Sequence, residues 1–79
     1  MRITYGVTEE IYTLGGQSRT SYGIVAYAEG EEDSTATIVA SARDLSPVRE
    51  RLDKLVRTCN RLHLSLIHFG DVIEDFLAD

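Results

Sequence analysis

A histidine and three acids stand close together near the end of this sequence: His68, Asp71, Glu74 and Asp75. On a helix, positions 68, 71 and 75 fall on one side, since offsets of three and seven residues return to within about a third of a turn. A histidine and two carboxylates on one face could hold a divalent metal or run acid–base chemistry. The plainer account is that acids favour the positive end of a helix and that an apolar stripe requires a polar back. No HExxH pattern accompanies the group. His68, Asp71 and Asp75 are therefore the candidate catalytic residues of an alternative reading, and no metal or other cofactor is expected.

The other reactive residue types form weaker patterns. His63 and His68 are five apart, a spacing that neither a helix nor a strand turns into a good ligand pair. Cys59, the only cysteine, lies among Leu55, Val56 and Leu62 and reads as a small buried hydrophobe. Gly15-Gly16-Gln17-Ser18 is glycine-rich, yet no Gly-Lys-Ser/Thr follows it and no helix begins there, so it reads as a turn. Arg49, Arg51, Lys54, Arg57 and Arg61 outnumber Glu50 and Asp53 along one segment. That segment could meet an acidic partner or an RNA phosphate, but a solvated face is the simpler reading.

These residues must be positioned by one small domain spanning residues 1–79. The chain has 79 residues, 8 Lys plus Arg and 13 Asp plus Glu, for a net charge of −5. That balance argues against a nucleic-acid partner. Hydrophobic residues make up 43%, enough for a folded core and too many for a disordered chain. A lone cysteine excludes an internal disulfide. The opening MRITYGVTEE lacks an apolar leader core, and the run Ile24 to Ala28 is far short of the roughly 20 residues that span a bilayer. No membrane partner is expected, and the cytoplasm is the expected location. A domain near this length buries only about 60% of its unfolded surface, so a second copy is a ready source of further burial.

The hydrophobic period changes once, near residue 45. Residues 20–28 and 35–43 are rich in Thr, Val, Ile and Tyr and read as a β-hairpin around the charged turn Glu29 to Asp33. Pairing Ala28 with Ser34 would set Ala26 opposite Ala36, Ile24 opposite Ile38 and Tyr22 opposite Ala40, all on one apolar face. The other face would carry Gly23, Val25, Tyr27, Thr35, Thr37, Val39 and Ser41. Residues 2–7 and 10–14 are also strand-like, either as one strand with a bulge near Thr8 to Glu10 or as two. Ser46-Pro47 then reads as a helix start. Val48, Leu52, Leu55, Val56, Cys59 and Leu62 follow as one apolar stripe, with Leu55 expected to be nearly fully buried. Glu50–Lys54 and Asp53–Arg57 have the spacing of supporting pairs. A second helix carries Phe69, Val72, Ile73, Phe76 and Leu77 on one face. The link 63–68 reads as a loop with Ser65 capping that helix, or as a short strand with Leu62, Leu64 and Leu66 on one face. The fold class is α+β: an antiparallel sheet of three to four strands followed by two helices packed on one face.

The segment from Leu64 to Leu77 resembles the closing signature of a family of short, uncharacterised proteins, a domain of unknown function from anaerobic Gram-positive bacteria. The pattern runs apolar, Ser or Thr, Pro, apolar, His, then Asp-Val-x-Glu-Asp-Phe-Leu, matched here by His68, Asp71, Glu74, Asp75 and Phe76, with Tyr22-Gly23-Ile24 as the earlier strand. Leu66 departs from it, standing where the pattern has Pro. The resemblance implies one small domain with a helical C-terminus, and it brings no assigned activity with it.

The function expected is a small non-enzymatic protein-interaction or regulatory module that forms a homodimer, with an unidentified protein partner as a further expectation. Its interaction candidates are Val25, Tyr27, Thr37 and Val39, on the face or edge of the sheet that the helices leave free. The alternative is a small metal-dependent or acid–base enzyme using His68, Asp71 and Asp75, and a third reading is an RNA contact through the basic helix.

Overall fold

Gly15 and Gly16 both take positive φ, 61° and 80°. Two such residues in succession make the turn whose twist matches a two-residue hairpin, which only glycine enters without strain. The computed structural model, which describes residues 2–30 and 36–78, builds its sheet outward from this turn. Strand β1 (Arg2–Leu14) and strand β2 (Gln17–Glu29) pair antiparallel from Leu14 opposite Gln17 to Arg2 opposite Glu29, without a shift. β1 is thus one continuous strand, with no bulge at Thr8 to Glu10.

Strand β3 (Ala36–Ser46) completes a three-stranded sheet of order β1-β2-β3. Its register differs from the expected one. Ala26 faces Ala40, Ile24 faces Ala42 and Tyr22 faces Ser46, whereas Tyr27 faces Ile38 and Ala28 faces Thr37. One residue more on β3 than on β2 between the pairs Ala26–Ala40 and Tyr27–Ile38 makes Val39 a bulge. An inserted residue reverses the faces beyond it. Ile38 is therefore carried to the side of Tyr27, away from Ile24, and Thr37 to the side of Ala28. The turn residues 31–33, the pairing of Ser34 and the placement of Thr35 lie outside the described residues.

Helix α1 (Arg49–Arg61) and helix α2 (Phe69–Ala78) pack on the side of the sheet that carries Tyr5, Ile24 and Ala26. The buried core is Tyr5, Ile24, Ala26, Leu52 and Cys59, with Leu55, Val56, Phe69, Val72, Ile73 and Phe76 partly buried around it. Leu52, not Leu55, is the fully buried leucine of α1. Both belong to one stripe, and the helix is rotated so that Leu52 points at Ile24's layer. α1 also starts two residues later than expected. Val48 is its N-cap, and the Ser46 hydroxyl accepts the Val48 N–H at 3.1 Å instead of capping the helix. Asp53 lies 3.8 Å from Arg49 in place of the expected Arg57 pair. A single 3-10 turn, Leu66–His68, leads into α2, and Ser65 precedes it without a side-chain cap, so the link is not a strand.

Candidate functional site

The acids of α2 and the histidine before it are the residues of the enzymatic alternative. His68 ends the 3-10 turn, Asp71, Glu74 and Asp75 lie on α2, and all four are exposed. Among the described residues no three His, Cys, Asp or Glu side chains converge in a way that could hold a metal ion. His63 is used by the backbone. It sits at φ 51° just past α1, donating its N–H to Asn60 O at 3.2 Å while Leu64 N–H reaches Cys59 O at 3.0 Å. These two bonds are a Schellman ending, which satisfies carbonyls that the helix leaves open.

The side of the sheet facing away from the helices has an apolar centre and a polar end. Val25, at its middle, is only 3% exposed. It is buried within the layer: a Cβ placed on Gly6 would lie 3.6 Å from both Val25 Cγ1 and the Tyr27 ring, so that ring lies over the glycine beside Val25. Tyr27 is half-buried. Ile38, opposite it, is 61% exposed and Val39 39% exposed. Of the four interaction candidates, Tyr27 lies on this face opposite Ile38, with the bulged Val39 next to Ile38 on β3. Val25 is enclosed by its neighbours on the same face, and Thr37 shares the helix side with Ala28.

The polar end is organised by β3. Arg43 donates from Nε to Glu10 Oε1 at 2.7 Å and from a terminal nitrogen to Oε2 at 2.5 Å, a bidentate pair across the face. The Arg43 guanidinium holds the Glu10 carboxyl below its ordinary pKa, and the carboxylate in turn raises that of Arg43. Ser21 donates its hydroxyl to Asp44 Oδ1 at 2.5 Å, with Asp44 at φ 54°. Together with Tyr12 these residues line an open recess of about 440 Å³.

Beyond that recess the β1–β2 hairpin runs on without cover. Thirteen helical residues reach about 20 Å, whereas thirteen extended residues reach about 43 Å. α1 therefore spans only part of the strands, and the hairpin end projects with Ile11 68% and Leu14 64% exposed and Tyr12 exposed as well. The sequence reading did not single out these three. The signal for them was present: residues 11–18 are uncharged in an acidic chain, and the helix that follows is too short to cover them.

The other end of β1 is closed. The Tyr5 N–H donates to Asn60 Oδ1 at 2.8 Å and Asn60 Nδ2 donates to Tyr5 O at 3.0 Å. The Tyr5 hydroxyl donates to Leu64 O at 2.9 Å, and its ring stacks on Phe69 with centroids 6.1 Å apart. Burial, with Cys59 beside it, raises the Tyr5 phenol and keeps it a donor. Burial likewise raises the Cys59 thiol, which opposes any thiolate chemistry there. On the helices, Arg51 lies over the Phe76 ring at 4.5 Å and Arg49 lies 3.7 Å from Glu9, so part of the basic segment is occupied within the chain.

A three-stranded antiparallel sheet with two helices on one side, and a second side left uncovered among the described residues, defines a small α+β domain. Residues 1–79 match the model of a family described as Family of unknown function (DUF6514), and the chain belongs to that family. Comparisons with characterised proteins and with solved structures found no match. No helix is long and apolar enough to cross a membrane among the described residues.

Proposed function

We propose that this protein is a non-enzymatic interaction module of the cytoplasm that associates with a second copy of itself through its sheet. The observation that carries this reading is the apolar surface on strands that α1 and α2 do not reach. Ile11, Tyr12 and Leu14 stand exposed on the projecting hairpin, with Ile38 and Val39 on β3. On the hairpin Ile11 lies on the helix side of β1 and Tyr12 and Leu14 on the other, so the strand end is apolar on both sides. Ile38 and Val39 add exposed apolar surface near the far end of the sheet. Small monomers seldom leave large apolar side chains exposed at one strand end without a partner. The helices are more mixed: Glu50, Lys54, Arg57, Glu74 and Asp75 are in solvent, and Leu62, Ile67 and Leu77 are exposed singly among such charges and at the helix ends.

Sedimentation velocity over a wide concentration range tests it. The expected result is a reversible monomer–dimer equilibrium, weakened by Tyr12→Glu at least about tenfold and unchanged by Glu74→Lys. A chain that stays monomeric at every concentration, or that responds to the helix substitution alone, would show that the sheet is not the associating surface.

A further inference from the structure

The two edges of the sheet are interrupted at different places: the β1 edge by the Asn60 amide at Tyr5, the β3 edge by its register shifts. The Gly15-Gly16 turn fixes which backbone groups of β1 face outward. Leu14 and Gln17 flank a two-residue turn and so exchange hydrogen bonds. Alternation from that pair gives the even-numbered residues of β1 to β2 and points N–H and C=O of the odd-numbered residues away from the sheet. Tyr5 has the phase this requires, because both of its outward groups go to the Asn60 amide. The edge formed by β3 is interrupted twice, at Val39 and between the pairs Tyr22–Ser46 and Ile24–Ala42. Bulges of this kind prevent further strands from adding. Tyr5 divides the β1 edge, and on its hairpin side Val7, Glu9, Ile11 and Thr13 present outward groups. Of these, Glu9, Ile11 and Thr13 lie where Ile11, Tyr12 and Leu14 are exposed. Acidic residues on an edge ordinarily repel a second strand. Here Glu10 is clamped by Arg43, and Glu9 lies 3.7 Å from Arg49.

We infer that two copies join β1 to β1, antiparallel, about a two-fold axis at Ile11, making one continuous six-stranded sheet. The inference rests on the proposal that the protein self-associates through its sheet, and names the seam. In this register Ile11 pairs with the partner's Ile11 and Glu9 with the partner's Thr13. Tyr12 lies opposite the partner's Glu10, and Leu14 opposite the partner's Thr8. Outward groups then meet at three residue pairs, each exchanging two hydrogen bonds. Other registers are worse. An axis at Glu9 or Glu10 sets like charges face to face, and an axis at Tyr12 or Thr13 runs the pairing into the Gly15-Gly16 turn. The occupant is a second copy because the edge is complementary to itself only in this register. Within the seam the acids Glu9 and Glu10 face the uncharged Thr13 and Tyr12 of the partner and each lies beside an arginine of its own chain, so no like charges stand directly opposite. The two-fold closes the assembly at two chains. A seam this small belongs to the weak end of protein interfaces, with a Kd on the order of tens of micromolar.

Proline at position 11 removes one outward N–H and no bond of the β1–β2 ladder, since Ile11 and Thr20 form a non-bonded pair. Ile11→Pro should weaken dimerisation at least about tenfold in sedimentation velocity, with an unchanged circular dichroism spectrum. Ile11→Ala, which keeps the N–H, should weaken it less. Tyr27→Glu, far from the seam and opposite Thr4, should leave it unchanged. In the unsubstituted protein, amide exchange at Glu9, Ile11 and Thr13 should slow as concentration rises, while exchange at Glu10 and Tyr12 should not. If Ile11→Pro dimerises normally and Tyr27→Glu does not, the protein self-associates through its face and the edge seam is overturned. If the unsubstituted chain is monomeric throughout, self-association itself fails. Assemblies larger than two chains, or concentration-independent exchange in a chain that dimerises, would also overturn the seam.

Discussion

Gly23 has no room for a side chain. A Cβ there would strike the Ala42 carbonyl oxygen and lie 2.9 Å from Thr8 Oγ1 and 3.0 Å from Arg43 Cα. Two of these three contacts are backbone, so the strain cannot be relieved by turning a flexible side chain. It would have to displace β3, and with it the Arg43–Glu10 and Ser21–Asp44 contacts that flank the glycine. Gly23→Ala is therefore expected to lower unfolding free energy by about 3 kcal/mol or more, at the severe end of overpacking. The check is a urea titration, in which the midpoint should fall sharply. A change below about 1 kcal/mol would mean that β3 does not press on Gly23 as described. Tyr22-Gly23-Ile24 was recognisable in the sequence as part of a family pattern. The reason for its glycine was not, because it lies on a strand almost twenty residues further on.

At the scale of elements, the end of α1 carries a cost that a single change should remove. His63 holds φ 51°, a conformation that disfavours any residue with a Cβ, in order to complete the Schellman ending. His63→Gly is expected to stabilise the protein by about 0.5–1 kcal/mol, after the added freedom of the unfolded chain is set against the relieved strain. Thermal unfolding measures it, and a loss of stability would mean that the imidazole makes a contact worth more than the strain. The elements themselves were readable because hydrophobic period separates strands from helices. The pairing of β2 with β3 was not, because a bulge changes the count of residues between two points and leaves composition untouched. That is how Ile38, an isoleucine in an apolar strand, ends in solvent across from Tyr27. Val25 lies on the expected side of the sheet yet is 3% exposed, because alternation tells which side a residue faces, not whether its in-plane neighbours enclose it. For α1, the stripe was right and its rotation was not, so Leu55 stood in for Leu52.

Across the whole molecule the core is small, and its centre is one helix residue against one strand layer. Leu52 is fully buried beside Ile24, whereas Leu55 is only partly enclosed. Leu52→Ala should cost about 2–5 kcal/mol and Leu55→Ala distinctly less, out of a total that for domains of this kind is about 5–15 kcal/mol. Denaturant unfolding of the two variants side by side decides it, and equal losses would mean that the helix is rotated from the orientation described. The clamp between Tyr5 and Asn60 joins positions 55 residues apart, and the Tyr5 hydroxyl reaches Leu64 across 59. During synthesis at about 5–20 residues per second, the amide that caps Tyr5 is added roughly 3–11 s after Tyr5 itself. Until then the outward N–H and C=O of Tyr5 have no partner within the chain, even where β2 has already paired with the other side of β1. The β1 edge at Tyr5 is thus closed only by the last third of the sequence, and a chain stopped short of Asn60 would leave it open to another strand.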